Sequence, residues 1–133
     1  MLYCTWCLGL LLCALIPQEA TVKSELAKLQ GDWKIVSGTL PEEFMRKTTL
    51  TFREDRLIFT ADSTRTELRF RLHLERQPYE IDLFKGERKS PGIYDVREDQ
   101  LRLCYEVDGR AVRPHRFEAV SGTEVLLILK RKK

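Results

Sequence analysis

The chain has 133 residues, 43 % of them hydrophobic, and a formal net charge of +3. That length and composition suit one globular domain, exclude a disordered chain, and let the core form without a metal or disulfides. Charges of both signs are interspersed and the only basic cluster, Lys130-Arg131-Lys132-Lys133, closes the chain. The basic face expected of a nucleic-acid binder is therefore missing, and the tail reads as solvated.

Residues 1–20 form an apolar leader. Leu2 to Ile16 is apolar apart from Thr5, and Pro17-Gln18-Glu19-Ala20 ends it. The run is about fifteen residues, short of the ~20 that span a bilayer. It fits the apolar region of a secretory signal peptide, so export to a periplasmic or extracellular compartment is expected and a stable membrane span is not. No Lys or Arg precedes the run, and Gln18 is a poor residue for a cleavage site at Ala20. Lipid attachment at Cys13 is disfavoured because Leu12 before it is not small. Cys4-Thr5-Trp6-Cys7 matches a C-x-x-C spacing by letter only, since no second cysteine pair or βαβ pattern frames it.

From residue 21 onward the chain reads as one domain, 21–133. Thr21 to Gln30 suits a short helix, with Thr21 or Ser24 as cap, Leu26 and Leu29 on one face, and Gly31 as stop. Asp32 to Ser37 is the first expected strand, and Pro41-Glu42-Glu43 suits the start of a helical turn. Thr49–Arg53 and Leu57–Ala61 are strands joined by Glu54-Asp55. Then comes the clearest segment, Leu68-Arg69-Phe70-Arg71-Leu72-His73-Leu74-Glu75, in which apolar and polar residues alternate. That is a strand with one face on a core and the other in water, the mark of an antiparallel sheet. Gln77-Pro78 breaks it. Tyr79–Leu83 alternates again, Lys85–Ser90 reads as a polar loop, and Pro91-Gly92 opens Ile93–Val96. Leu101–Tyr105 follows, and Asp108-Gly109 suits a hairpin turn. Arg113–Phe117 contains Pro114 and reads as an edge or a loop, and Val125–Leu129, after Ser121-Gly122, is apolar on both faces. The expected fold is all-β: a small antiparallel meander barrel of about eight strands with a short N-terminal helix, closed because closure removes sheet edges.

Two segments carry a resemblance. Leu29-Gln30-Gly31-Asp32-Trp33, a short helix running into Gly-x-Trp on the first strand, is similar to lipocalin-like barrels. Gly92-Ile93-Tyr94, Leu103-Cys104-Tyr105, Arg113-Pro114 with Phe117, and the closing Val125 to Arg131 run resemble, in that order, an uncharacterised planctomycetal family of small domains that are often exported. The resemblance covers about Leu26 to Lys132. It implies a lipocalin-like barrel and, in many members, a signal peptide; it implies no activity. This chain departs from the pattern in its cysteine-rich leader and in the basic Arg110, Arg113 and Arg116.

Closure of the barrel sets Trp33 beside Lys130 or Arg131, where a cation over the indole face acts as a structural latch. The expected inward set is Phe52, Phe59, Phe70, Leu72, Tyr79, Ile81, Leu103 and Tyr105. A barrel of this size is either filled by such side chains or holds one small apolar ligand. For a ligand cup, Tyr94 and Tyr105 offer hydroxyls and Arg113 a cation for a carboxylate. Cys104 is expected as a small strand residue. A Cys104–His115 nucleophile pair needs a strand register that the sequence does not fix, His73 falls on the polar face of its strand, and Glu80 and Asp82 read as a solvent face. No metal-ligand spacing or phosphate-binding glycine loop occurs, so no cofactor and no enzymatic activity are expected. The sequence points to a binding domain for a small apolar ligand or an envelope protein. The alternative is a structural module of the cell envelope with a solid core.

Overall fold

In the computed structural model, residues 21–119 and 122–133 are described. The leader, with Cys4, Cys7, Cys13 and the proposed cleavage site, lies outside them, as does Ser121 of the expected turn. The described chain is a closed barrel of eight antiparallel strands in sequential order, with two short helices. The helix α1 spans Val22–Leu29, β1 Gly31–Gly38 and α2 Glu42–Lys47. Then follow β2 (Thr48–Arg53), β3 (Arg56–Ala61), β4 (Thr64–His73), β5 (Tyr79–Lys85), β6 (Arg88–Arg97), β7 (Gln100–Glu106) and β8 (Glu124–Arg131).

Each strand alternates between a face turned into the barrel and one turned out, and the register fixes which residues share a level. Trp33 pairs with Leu50 and Arg131, Phe52 with Leu57, Leu72 with Ile81, and Tyr94 with Tyr79 and Leu103. All eight residues of the expected inward set belong to the core or pack against it. Helix α1 lies across one end of the barrel. A reciprocal pair of bonds between Thr21 and Ser24 caps its start, and it buries Glu25 and Leu29. Helix α2 flanks the opposite end.

Several elements differ from the expectation. The alternating strand starts at Thr64 and ends at His73, because Thr64–Leu68 pair with β3 even though their side chains are mostly polar. Lys85–Ser90 is not a loop: only Gly86-Glu87 turn, and Arg88, Lys89 and Ser90 pair with Lys85, Phe84 and Leu83. Backbone hydrogen bonding does not depend on side-chain polarity, so a polar stretch near a barrel rim can still be strand. Gly92 is likewise mid-strand rather than a turn former. A Cβ there would stand 2.6 Å from the Cys104 carbonyl oxygen, so the close β6–β7 contact requires glycine.

Asp108-Gly109 does not make a hairpin. Strands β7 and β8 pair from Gln100↔Lys130 up to Glu106↔Glu124, and the Val107 N–H donates to the Thr123 carbonyl. The chain between them is a long excursion folded back over the outside of β5–β7. Arg113–Phe117 runs in it as irregular loop, with Pro114 buried. What holds it there is polar anchoring to the sheet, a tertiary effect that no local turn pattern reports.

Candidate functional site

The two ends of the barrel differ in how they are filled. At the α1 end, Leu29, Trp33, Leu101 and Leu129 have no exposed surface. Trp33 Nε1 donates to the Leu29 carbonyl at 2.8 Å, and Arg131 Cζ lies 4.3 Å from the indole centroid. Arg131 also donates from Nη1 and Nη2 to the carbonyls of Gln30 and Lys28, each at 2.7 Å. One guanidinium thus ties β8 to β1 and to the end of α1, whose last carbonyls need donors. Lys130, the other candidate for this role, pairs in register with Lys34 and is exposed.

Tyr94 points into the same end. Its hydroxyl donates to Glu25 Oε1 at 2.8 Å, and Glu25 Oε2 accepts from Lys28 Nζ at 2.8 Å. Burial and the adjoining Glu25 carboxylate push the Tyr94 phenol far above its ordinary value, so it stays protonated. A surface hollow of about 400 Å³ lies beside this group, between Tyr79, Pro78 and Phe117. The Tyr94 hydroxyl and both Glu25 carboxylate oxygens are engaged within the protein, so Tyr94 serves to seat the helix on the barrel, while Lys28 Nζ remains partly open to solvent.

Arg113 is not in the barrel at all. It lies in the excursion, on the outer face, and donates from Nη1 to the carbonyls of Gly92 and Ile81 at 2.9 and 3.3 Å. Its Nη2 is 2.8 Å from Asp82 Oδ1, an ion pair without hydrogen-bond alignment, and its Nε is 3.5 Å from Glu80. Asp82 is therefore not a solvent-face residue: it is 2 % exposed. His73 Nε2 lies 2.8 Å from Asp82 Oδ2, and Lys89 Nζ 3.6 Å from the same oxygen. Burial by itself raises the Asp82 pKa, but the contacts from Arg113 and His73, with the charges of Arg113 and Lys89, outweigh it and hold the carboxyl below its ordinary value. Alternation alone gave no sign of this node, because the excursion that covers Asp82 comes from far along the chain.

Cys104 is an outward-facing β7 residue, buried between its strand partners Ile93 and Leu126. Burial, with the nearby Glu124 charge, pushes its thiol up to about 11, which disfavours the nucleophilic thiolate. His115 is exposed and shares no hydrogen bond or ion pair with Cys104 among the described residues. Nor do the described residues contain a group of His, Cys, Asp and Glu able to hold a metal ion.

The unfilled space suited to an apolar ligand is at the α2 end. Strand β4 outruns its partner there: its pairing with β5 stops at Arg69↔Phe84, so Thr64–Leu68 bond only to β3 and the wall opens beside Leu68. Two hollows of about 330 and 250 Å³ share Leu68 and Tyr105 in their linings. The smaller is walled by Phe44 of α2, Phe59 and Ala61; the larger by Leu83, Val107 and the rim residues Lys85 and Arg88. Tyr105, of the three residues considered for a cup, is the one that lines it. Burial lifts its phenol to about 12, leaving a protonated hydroxyl at neutral pH. Phe44, Leu68 and Lys85 were missed by the sequence reading. Phe44 sits in a helical turn with no packing pattern, and Lys85 in a stretch that reads as loop.

Comparison with known protein families, curated proteins and solved structures returned no match. No helix among the described residues is long and apolar enough to cross a membrane.

Proposed function

We propose that this domain is a lipocalin-like binding module that takes a small apolar ligand at the α2 end of its barrel. The observation carrying the reading is a pair of mainly apolar hollows that share Leu68 and Tyr105 at the α2 end, whereas the hollow at the α1 end, beside Tyr79 and Tyr94, is lined by the Glu25–Lys28 ion pair and Asp95. Their volumes, about 330 and 250 Å³, lie at the lower edge of the ~300–1,000 Å³ of ordinary ligand clefts. Apolar walls from Phe44, Phe59, Leu68, Leu83 and Val107 suit a ligand recognised by burial rather than by a reacting atom. The reading includes no catalytic step. Export through the leader, and kinship with the planctomycetal domains, belong to the same proposal.

The test is titration of the full chain with N-phenylnaphthylamine, an uncharged fluorophore that brightens in apolar surroundings, followed by competition with decanol. Saturable binding that decanol displaces, and that Leu68→Trp abolishes by filling the junction, is expected. No saturable binding by a folded protein overturns the reading. The second reading, a solid structural or interaction module of the envelope, is favoured by the complete packing around Trp33 and would then take its place.

A further inference from the structure

We infer that the ligand of this mouth is an amphiphile with an acidic head, its chain lying between Phe59 and Leu68 and its head at Lys85 and Arg88. The inference rests on the ligand reading above and adds the charge of the ligand.

Ile81 and Leu83 point into the barrel, so Lys85 at the end of β5 falls on the inward side, and Ser90 and Arg88 do so on β6. An inward position is ordinarily apolar. Here the inward side ends in two cations, and both line the larger cavity together with Leu68 and Tyr105. Lys85 and Arg88 also stand directly opposite each other in the β5–β6 register. Like charges at facing positions destabilise a strand pair, and an anion between them removes that cost.

No internal anion plays that part. Neither Lys85 nor Arg88 has an ion-pair partner among the described residues; Arg88 donates to the Val107 carbonyl, which orients it along the rim. Neither cavity lining contains a carboxylate, and Glu87 lies in the turn outside both. The remaining polar side chains in the two linings are hydroxyls, of Tyr105, Ser90, Thr66, Thr64 and Thr48, the last of which donates to the Phe44 carbonyl. Hydroxyls and two cations are donors for an oxyanion, and a cationic head would meet only repulsion there. The apolar walls of the smaller cavity lie beyond Leu68, so head and tail sites are contiguous.

The test compares three molecules with the same chain and different heads: decanoate, decanol and decyltrimethylammonium, by titration calorimetry with the full chain at low ionic strength. Decanoate is expected to bind at least about fivefold more tightly than decanol, as for one partly exposed ion pair, with the ammonium weakest. Added salt and Lys85→Gln should both shrink the difference between decanoate and decanol. Lys85 is exposed, so the variant retains the fold, which an unchanged melting curve verifies. Equal binding of decanol and decanoate, or tighter binding of the ammonium, overturns the acidic head and leaves the apolar site standing. Binding of none of the three overturns both.

Discussion

Replacing Trp33 with alanine tests the seam on which the barrel depends. Trp33 is wholly buried, faces Leu50 on one side and Arg131 on the other, and hydrogen-bonds the last carbonyl of α1. Truncating a buried aromatic side chain to alanine costs about 3–5 kcal/mol, through lost burial and the cavity left behind. The cation–π contact adds about 0.5–2 kcal/mol, of which part survives because Arg131 keeps its bonds to Lys28 and Gln30. We expect a loss of about 4 kcal/mol, which in a domain of this size lowers Tm by roughly 15 °C. Native stabilities of ~5–15 kcal/mol leave the variant folded but marginal. Urea unfolding followed by far-UV circular dichroism measures it without interference from the second tryptophan, Trp6 in the leader. Trp33→Leu combined with Arg131→Gln in a double-mutant cycle isolates the pair, with a coupling of ~0.5–2 kcal/mol expected. A loss below about 1 kcal/mol for Trp33→Ala, or no coupling, would refute closure of β1 on β8 through this contact.

Asp82 gives a pH signature. Its carboxyl is held below the ordinary 3.8, so the stability it contributes is complete above that value and is lost as pH falls through the lowered folded-state pKa. Asp82→Asn should cost about 2–3 kcal/mol at neutral pH, less than a fully buried pair because Arg113 is partly solvated, and should flatten the acid limb of the stability curve. Amide exchange should quicken in residues 107–119 before the rest of the barrel; an unchanged acid limb in the variant would remove Asp82 as the anchor. Gly92→Ala forces a methyl against the Cys104 carbonyl at 2.6 Å and Tyr105 Cβ at 2.9 Å, so β6 and β7 must separate. A loss of about 1–3 kcal/mol in denaturant unfolding is expected, and a neutral substitution would show that the strands are less tightly apposed than the contact requires.

Strand identity was legible wherever one face of a strand meets the core and the other meets water, because burial then writes a period of two into the residues. Phe70-Arg71-Leu72 and Leu101-Arg102-Leu103 are such places, and sequential turns at Glu54-Asp55, Asp62-Ser63 and Glu98-Asp99 set the meander. The sequence by itself thus determined the all-β barrel, its inward aromatic set and the juxtaposition of Trp33 with the last strand. The rest was decided by contacts between residues remote along the chain. The excursion after β7 lands on β5 and β6 because Arg113 finds Asp82 and the Ile81 carbonyl on β5 and the Gly92 carbonyl on β6, the last two 32 and 21 residues before it. That landing turns an apparently solvent-facing carboxylate into a buried one and takes Arg113 out of the barrel. The mouth likewise exists because β4 and β5 part company at Arg69↔Phe84, and α2 sets Phe44 beside the gap. Alternation records which way a side chain points; only the assembled barrel decides what it meets there.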